Sequence, residues 1–182
     1  LPISFRILRT NLVSKRKDTS AFMILITSSG PKEGKSTIQA NLATALSQTG
    51  SKVVLVDLDL RRPMVHSLFD FKKEVGISDF LVDKTQELEP LVKKTEIPNL
   101  DVITSGYIPP NPSELLGSVR MDDALALLKS KYDYILLDSP PVIAVTDSMI
   151  LAKKVDALNL VVRVGKADKN VVKRAKELLD NI

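Results

Sequence analysis

Cysteine and tryptophan are absent from this sequence, and its longest uninterrupted apolar runs, such as AFMILI, are about six residues long. Without cysteine the chain forms no disulfide and offers no thiolate to a metal ion, which fits a reducing compartment. Apolar runs of this length predict neither a membrane-spanning helix nor a signal peptide. The single histidine, His66, follows an RRP turn and is interpreted as a surface or helix-capping residue.

The length and composition are typical of one soluble globular domain. The chain has 182 residues, of which 44% are hydrophobic and 26% are charged. This is enough for one well-buried core and short for two. Because the sequence begins at Leu1 rather than methionine, we expect it to be a fragment of a longer protein.

The formal net charge of +4 comes entirely from residues 1–20, where five basic residues accompany a single acidic residue, Asp18. The remaining residues carry equal numbers of basic and acidic groups. A neutral body argues against nucleic-acid binding, which usually needs a basic face on the fold itself. The leading segment has two open interpretations: contact with an anionic membrane surface or a partner, or a solvated helix face.

Strand-like and helix-like patterns alternate along the chain. Apolar runs predict five strands, at residues 21–27, 52–59, 100–106, 132–138 and 157–164. Apolar residues at helical spacing predict helices around them, including an opening helix with Phe5, Leu8 and Leu12 on one face. Such alternation predicts an α/β fold with a mostly parallel sheet covered by helices on both faces. Ligands of these sheets bind beyond the carboxyl ends of the strands.

The segment TSSGPKEGKST, residues 27–37, follows the first predicted strand and leads into a helix. It matches the phosphate-loop pattern G-x-x-x-x-G-K-[ST], with Ser29 in place of the first glycine. In such a loop, backbone N–H groups and the helix N-terminus face the phosphates, the lysine adds a positive charge, and the hydroxyl ligates Mg²⁺. A chance turn is the alternative, and the position between a buried strand and an amphipathic helix argues against it. The predicted ATP-binding residues are Ser29, Gly30, Pro31, Lys32, Glu33, Gly34, Lys35, Ser36 and Thr37.

Three aspartates lie at the ends of predicted strands. Asp57 and Asp59 lie at the end of the second strand, and Asp138 ends the fourth. One such aspartate is usually a turn or cap residue, but three of them in a chain with a phosphate loop predict a Mg²⁺ site. A carboxylate that the metal does not need is suited to orient an attacking hydroxyl or water.

Taken together, the motifs resemble the cytoplasmic catalytic domain of the bacterial tyrosine kinases (BY-kinases) that accompany capsular and exopolysaccharide export machines. These are P-loop enzymes related to the partitioning ATPases. The resemblance covers nearly the whole chain: FRILRTNL at the start, TSSGPKEGKST as Walker A, VVLVDLDLRRP as Walker A′, SGYIPPNPSELL before a helix, and YILLDSPP as Walker B. Walker A alone is generic, whereas Walker A′ followed by PPNPSELL is specific. The partitioning ATPases carry a second lysine where this chain has Gly30, which favours the kinase.

The resemblance implies roles for the motif residues. Lys35, Asp57 and Asp59 are the implied catalytic residues, with Asp57 as general base toward a tyrosine hydroxyl. A phenol with a pKa of about 10 needs a proton acceptor nearby as it attacks. Ser36, Asp59 and Asp138 are the implied Mg²⁺ ligands, with Asp138 acting through water.

Partners are also implied by the resemblance. The leading helix of the family reads Glu-x-x-Arg-x-x-Arg and helps to assemble a ring; here Arg6 and Arg9 are present and Ile3 stands in the glutamate position. The family ends in a cluster of acceptor tyrosines, so we expect that tail, and the last strand of the sheet, outside this sequence. A membrane-spanning activator, fused or separate, and a location at the cytoplasmic face of the bacterial membrane are further expectations.

The predicted function is an ATP- and Mg²⁺-dependent protein-tyrosine autokinase that regulates capsular and exopolysaccharide polymerisation and export. The alternative is a non-kinase P-loop ATPase switch that controls dimerisation or docking to a membrane partner. Residues 1–20 are predicted to be a basic helix for an oligomer or adaptor contact, and residues 21–182 the ATP-binding kinase domain. Arg61 is implied to support the acidic pair or the phosphates, with an ordinary surface arginine as the alternative.

Overall fold

Six strands and eight α-helices alternate along the chain in the computed structural model, which describes residues 1–182. None of the helices has the length and apolar character needed to cross a membrane. A short 3₁₀ turn, Glu89–Leu91, precedes the third strand. The elements are α1 (Ile3–Val13), β1 (Phe22–Ser28), α2 (Lys35–Ser47), β2 (Val53–Asp57), α3 (Val65–Leu68), α4 (Ile77–Val82), β3 (Lys93–Lys94), β4 (Leu100–Ile103), α5 (Pro112–Leu116), α6 (Val119–Lys129), β5 (Tyr134–Asp138), α7 (Asp147–Ala152), β6 (Ala157–Val161) and α8 (Lys169–Asp180).

The strands form a single sheet in the order β3-β4-β2-β5-β1-β6. All neighbouring pairs are parallel except β3 and β4, which are antiparallel. The predicted α/β architecture is therefore confirmed. The sequence interpretation missed β3, because its two residues are lysines and carry no apolar pattern. It also extended three strands too far: β2 ends at Asp57, β4 at Ile103 and β6 at Val161.

Alternating residues of each strand divide the core between the two faces of the sheet, as the period of a β-strand requires. On one face, Met23 and Leu25 of β1 pack in a cluster of 20 buried residues with side chains of α4, α6 and α7. On the other face, Ile24 and Ile26 pack in a cluster of 15 buried residues, chiefly with α1 and α2. Burial on both faces explains why the central strands contain uninterrupted apolar runs.

The leading helix α1 packs against α2 and is part of the same folded unit. Leu12 of α1 is only 3% exposed and belongs to the second core cluster. The guanidinium of Arg9 donates a hydrogen bond to the carbonyl oxygen of Ala45 at 3.0 Å. The opposite side of α1 exposes Ile3 and Ile7 to solvent.

The strand register brings two of the predicted site residues together. Asp57 at the end of β2 lies directly opposite Asp138 at the end of β5. Asp138 in turn lies opposite Ile26 of β1, three residues before the phosphate loop begins at Ser29. Because parallel strands end at the same edge of the sheet, the loop and both carboxylates meet there.

Candidate functional site

The loop between β1 and α2 has the backbone conformation of a tight phosphate-binding turn. Gly34, immediately before α2, has φ = 85°, a left-handed conformation that other residues adopt only with strain. No side chain caps the N-terminus of α2. Its first N–H groups therefore lack partners within the helix and are suited to bind an anion.

Ser29, in the first-glycine position, lies beneath this loop. Its side chain is buried, and its hydroxyl donates to the carboxylate of Glu33 at 2.8 Å. The backbone N–H of Ser29 donates to the carbonyl oxygen of Val161 on β6. Ser29 does not border the cleft above the loop. The expectation that Ser29 contacts ATP stays a prediction; in this structure its hydroxyl holds Glu33 inside the loop.

A cleft of about 360 Å³ opens over the loop and contains the other predicted ATP-binding residues. Its opposite wall includes Asp59, Arg62, Met64 and Leu68, which follow β2. The cleft therefore joins the Walker A segment to the Walker A′ segment. Its remaining lining residues are Ser28, Gly30, Pro31, Lys32, Glu33, Gly34, Lys35, Ser36, Thr37 and Pro141.

At the base of the cleft, Asp138 accepts hydrogen bonds from two residues of α2. The ammonium group of Lys35 forms an ion pair with one oxygen of the Asp138 carboxylate. The hydroxyl of Ser36 donates to the other oxygen at 3.0 Å. Asp138 is fully buried, and this burial raises the pKa of its carboxyl group, while Lys35 opposes the rise.

Asp57 and Asp59 have different surroundings. Asp57 is fully buried, and its carboxylate accepts hydrogen bonds from the backbone N–H groups of Asp59, Met64 and Val65. Burial, reinforced by the neighbouring Asp138, raises the pKa of Asp57 to about 8. Asp59 borders the cleft and accepts from the backbone N–H of Arg62 at 3.0 Å. The acidic side chain of this motif that reaches the cleft is therefore Asp59, whereas Asp57 holds the following turn.

The residues present fit a Mg²⁺ ion that also binds phosphate. No group of three or more acidic, histidine or cysteine side chains is arranged to hold a metal by itself. Ser36 and Asp138 lie within hydrogen-bonding distance, and Asp59 borders the same cleft. Burial and, after it, a neighbouring carboxylate raise the pKa of both Asp57 and Asp138. A divalent cation would relieve the repulsion between the carboxylates. Mg²⁺ typically uses one or two carboxylates, substrate phosphates and several waters, which suits this set.

Sequence reasoning missed a polar cluster beside the cleft. The guanidinium of Arg61 donates to both carboxylate oxygens of Asp147, at 2.9 and 3.0 Å. Ser113 of α5 donates to the same carboxylate at 2.6 Å. The side chain of Arg61 thus pairs with Asp147, while its backbone N–H donates to Asp59. The implied support of the acidic pair or the phosphates by Arg61 stays a prediction. The TD pair at the start of α7 carries no motif pattern, so Asp147 gave no signal in the sequence.

The predicted oligomerisation residues differ in their availability. Arg6 is exposed on α1, whereas Arg9 is partly buried through its hydrogen bond to α2. Among the three tyrosines, Tyr134 is buried and Tyr132 donates its hydroxyl to Asp101 at 2.7 Å. Burial raises the pKa of Tyr132, so this phenol stays neutral. Of the three, only Tyr107 has a largely solvent-exposed side chain.

Comparison with known proteins establishes the family. The family described as AAA domain matches residues 23–166. Tyrosine-protein kinase YwqD of Bacillus subtilis (strain 168) is 42% identical over 175 residues, which cover 96% of this chain and 73% of YwqD. This chain belongs to the bacterial tyrosine-protein kinases. The predicted family is thereby confirmed.

Solved structures agree with this assignment. The kinase domain superposes on the chimerical protein CapA2B2 with a TM-score of 0.93 and 39% identity, covering all of this chain and 80% of the other. It superposes on the kinase domain of Escherichia coli tyrosine kinase ETK with a TM-score of 0.90 and 34% identity. The match covers 97% of this chain and 69% of the ETK chain. McdA of Cyanothece, at 21% identity and a TM-score of 0.74, shares the fold. The match covers 90% of this chain and 65% of the McdA chain.

The kinase domain is therefore an ATP-using protein-tyrosine kinase of capsule and exopolysaccharide systems, as the sequence predicted. The alternative of a non-kinase ATPase switch receives no support from YwqD and ETK, which are themselves named as tyrosine kinases. The division between residues 1–20 and 21–182 remains a prediction.

Proposed function

We propose that this kinase domain transfers the γ-phosphate of ATP to tyrosine hydroxyls by the joint action of the phosphate loop and the acidic turn after β2. The observation that carries the proposal is the contact of Asp138 with both Lys35 and Ser36 at the base of the cleft that Asp59 borders. This arrangement supports phosphate binding and metal binding in one place.

The phosphates would be held by the loop residues Gly30 to Thr37 and by the unpaired N–H groups at the start of α2. Lys35 would exchange its ion pair with Asp138 for a contact with the β and γ phosphates. Both partners are almost completely buried. A charge placed in such a water-excluded site stabilises a transition state far more than an exposed charge does.

Mg²⁺ would be held by Ser36 and Asp59, with Asp138 contributing through water. When bound, the ion neutralises charge on the β and γ phosphates and aligns them for in-line transfer. Ser36 and Asp138 are already oriented by their mutual hydrogen bond. Asp59 is oriented by the hydrogen bonds that its carboxylate accepts from the backbone N–H groups of Arg61 and Arg62.

The general base stays a prediction at Asp57. In this structure its carboxyl group is enclosed by hydrogen bonds from three backbone N–H groups. Its pKa of about 8 favours the protonated form at neutral pH. Accepting a proton from a tyrosine hydroxyl requires Asp57 to ionise and the turn from Asp59 to Met64 to open. Asp59, unlike Asp57, borders the cleft that an acceptor would enter.

The acceptor and the partners are proposed from the resemblance. The acceptor tyrosines would lie in a tail outside this sequence and be phosphorylated between subunits that associate through α1. A membrane-spanning activator would hold the domain at the cytoplasmic face of the membrane. The match to a chimerical protein, CapA2B2, supports a two-component arrangement. The basic residues concentrated in residues 1–20 support a location near anionic lipid.

The test is transfer of labelled phosphate by the full-length protein together with its membrane partner. We expect the label on tyrosine, and we expect Lys35→Met to reduce labelling by about 100-fold or more. Lys129→Met is the matched control, because Lys129 is an exposed lysine at the opposite edge of the sheet. Persistent tyrosine labelling in Lys35→Met, or phosphate release without tyrosine labelling in the wild type, would contradict the proposal.

A further inference from the structure

The first turn of α7 is connected by hydrogen bonds to both acidic strand ends of the cleft. Asp147 accepts both guanidinium N–H bonds of Arg61, two residues beyond Asp59. The next residue, Ser148, donates to the hydroxyl of Ser139 at 3.1 Å, and Ser139 directly follows Asp138. Asp147 and Ser148 are both fully buried. One helical turn therefore contacts the segments that carry Asp59 and Asp138.

Arg61 transmits this contact to Asp59 through its own backbone. Its N–H donates to the Asp59 carboxylate at 3.3 Å, while its side chain is held by Asp147. Fixing the side chain of Arg61 thus fixes the amide that orients Asp59. The same guanidinium donates to Ser113 at 3.2 Å, which ties α5 to the cluster.

The strength of this connection follows from its geometry. Paired N–H bonds from one guanidinium to one carboxylate are more directional and stronger than a single contact. The Asp147 carboxylate is fully buried, and its removal would leave the cation and Ser113 without their acceptor. Arg61 is partly exposed, and its hydrogen bond to Asp147 raises the pKa of its guanidinium.

We propose that Arg61 is a positioning residue for the metal site: with Asp147 and Ser148 it sets the separation between Asp59 and Asp138. The inference rests on the proposed function, which makes those two carboxylates the acidic Mg²⁺ ligands. It adds residues that do not touch nucleotide or metal and assigns them control over metal affinity. Residues that orient metal ligands in this way typically change affinity 10- to 100-fold when removed.

The test measures Mg²⁺ binding in the presence of ADP by calorimetry, so that no turnover is needed. We expect Arg61→Ala and Asp147→Asn to raise the half-saturating Mg²⁺ concentration by about 10- to 100-fold. We expect the double variant to bind Mg²⁺ no more weakly than the weaker-binding single variant, because both substitutions break the same connection between Arg61 and Asp147. Arg61→Lys keeps the charge but not the paired geometry, so its effect should be intermediate.

The matched control is Arg120→Ala. Arg120 also donates to backbone carbonyl oxygens, including that of Phe80 at 3.0 Å, and lies over the Phe80 ring, away from the cleft. We expect this variant to lower the melting temperature while the Mg²⁺ requirement stays at the wild-type value. Unchanged Mg²⁺ binding in Arg61→Ala, or additive effects in the double variant, would overturn the inference.

Two further outcomes separate the inference from the proposed function. If Arg61→Ala does not fold, Arg61→Lys decides: wild-type Mg²⁺ binding by a folded Arg61→Lys protein counts against the positioning role. If the wild-type protein binds ADP without any dependence on Mg²⁺, the proposed metal site itself fails. A Mg²⁺-dependent wild type with an unaffected Arg61→Ala variant rejects only the role of Arg61.

Discussion

A single buried carboxyl group makes the stability of this domain depend on pH. The pKa of Asp57 is raised to about 8 in the folded protein, far above the value of about 3.9 expected in an unfolded chain. Between these values the folded state keeps a proton that the unfolded state releases. The contribution of Asp57 to the free energy of unfolding is therefore complete below about pH 4. It decreases as the pH rises toward 8, by up to about 1.4 kcal/mol per pH unit.

Replacing Asp57 by asparagine tests this sign. Asparagine does not ionise, so we expect the free energy of unfolding of Asp57→Asn to vary less with pH between about 4 and 8 than that of the wild type. Part of the dependence should remain, because burial also raises the pKa of Asp138. Urea unfolding at a series of pH values, without nucleotide, measures the effect. Asp123→Asn, on the exposed face of α6, is the control and should retain the wild-type pH dependence.

At the scale of elements, the pairing of α1 with α2 bears on how the leading segment works. Leu12 is 3% exposed in the core, whereas Ile7 on the same helix is 57% exposed. We expect Leu12→Ala to lower the free energy of unfolding by about 2–4 kcal/mol. Ile7→Ala should change it by less than about 0.5 kcal/mol. Equal effects of the two substitutions in urea unfolding would show that α1 does not pack on the domain.

Element by element, the success of sequence reasoning followed the strength of the local signal. The buried strands β1, β2 and β5 were predictable from apolar runs, and the phosphate loop was predictable from the spacing of Gly34, Lys35 and Ser36. The cluster of Arg61, Ser113 and Asp147 was not, because its members come from three separate segments and only the fold brings them together. The hydrogen bonds that enclose the Asp57 carboxylate could not be predicted either, because they are donated by backbone N–H groups, which every sequence possesses.

For the whole molecule, nucleotide binding should add measurable stability. A ligand that binds only the folded state at 100 times its dissociation constant contributes about 2.7 kcal/mol. For a domain of this size, that corresponds to a rise in melting temperature of roughly 5–10 °C. We expect Mg²⁺ with ADP to produce such a rise in thermal unfolding, and Lys35→Met to abolish most of it. A full shift in Lys35→Met would indicate that ADP binds elsewhere.

The position of β1 inside the sheet has a consequence for biosynthesis. Phe22 of β1 pairs with Tyr134, 112 residues later in the chain, and the other edge of β1 pairs with β6, which is later still. At ribosomal rates of about 5–20 residues per second, β1 waits roughly 6–20 s for its first neighbour. Throughout that interval the apolar run AFMILI has no strand partner on either side, so this segment of the nascent chain is exposed to aggregation until β5 has left the ribosome.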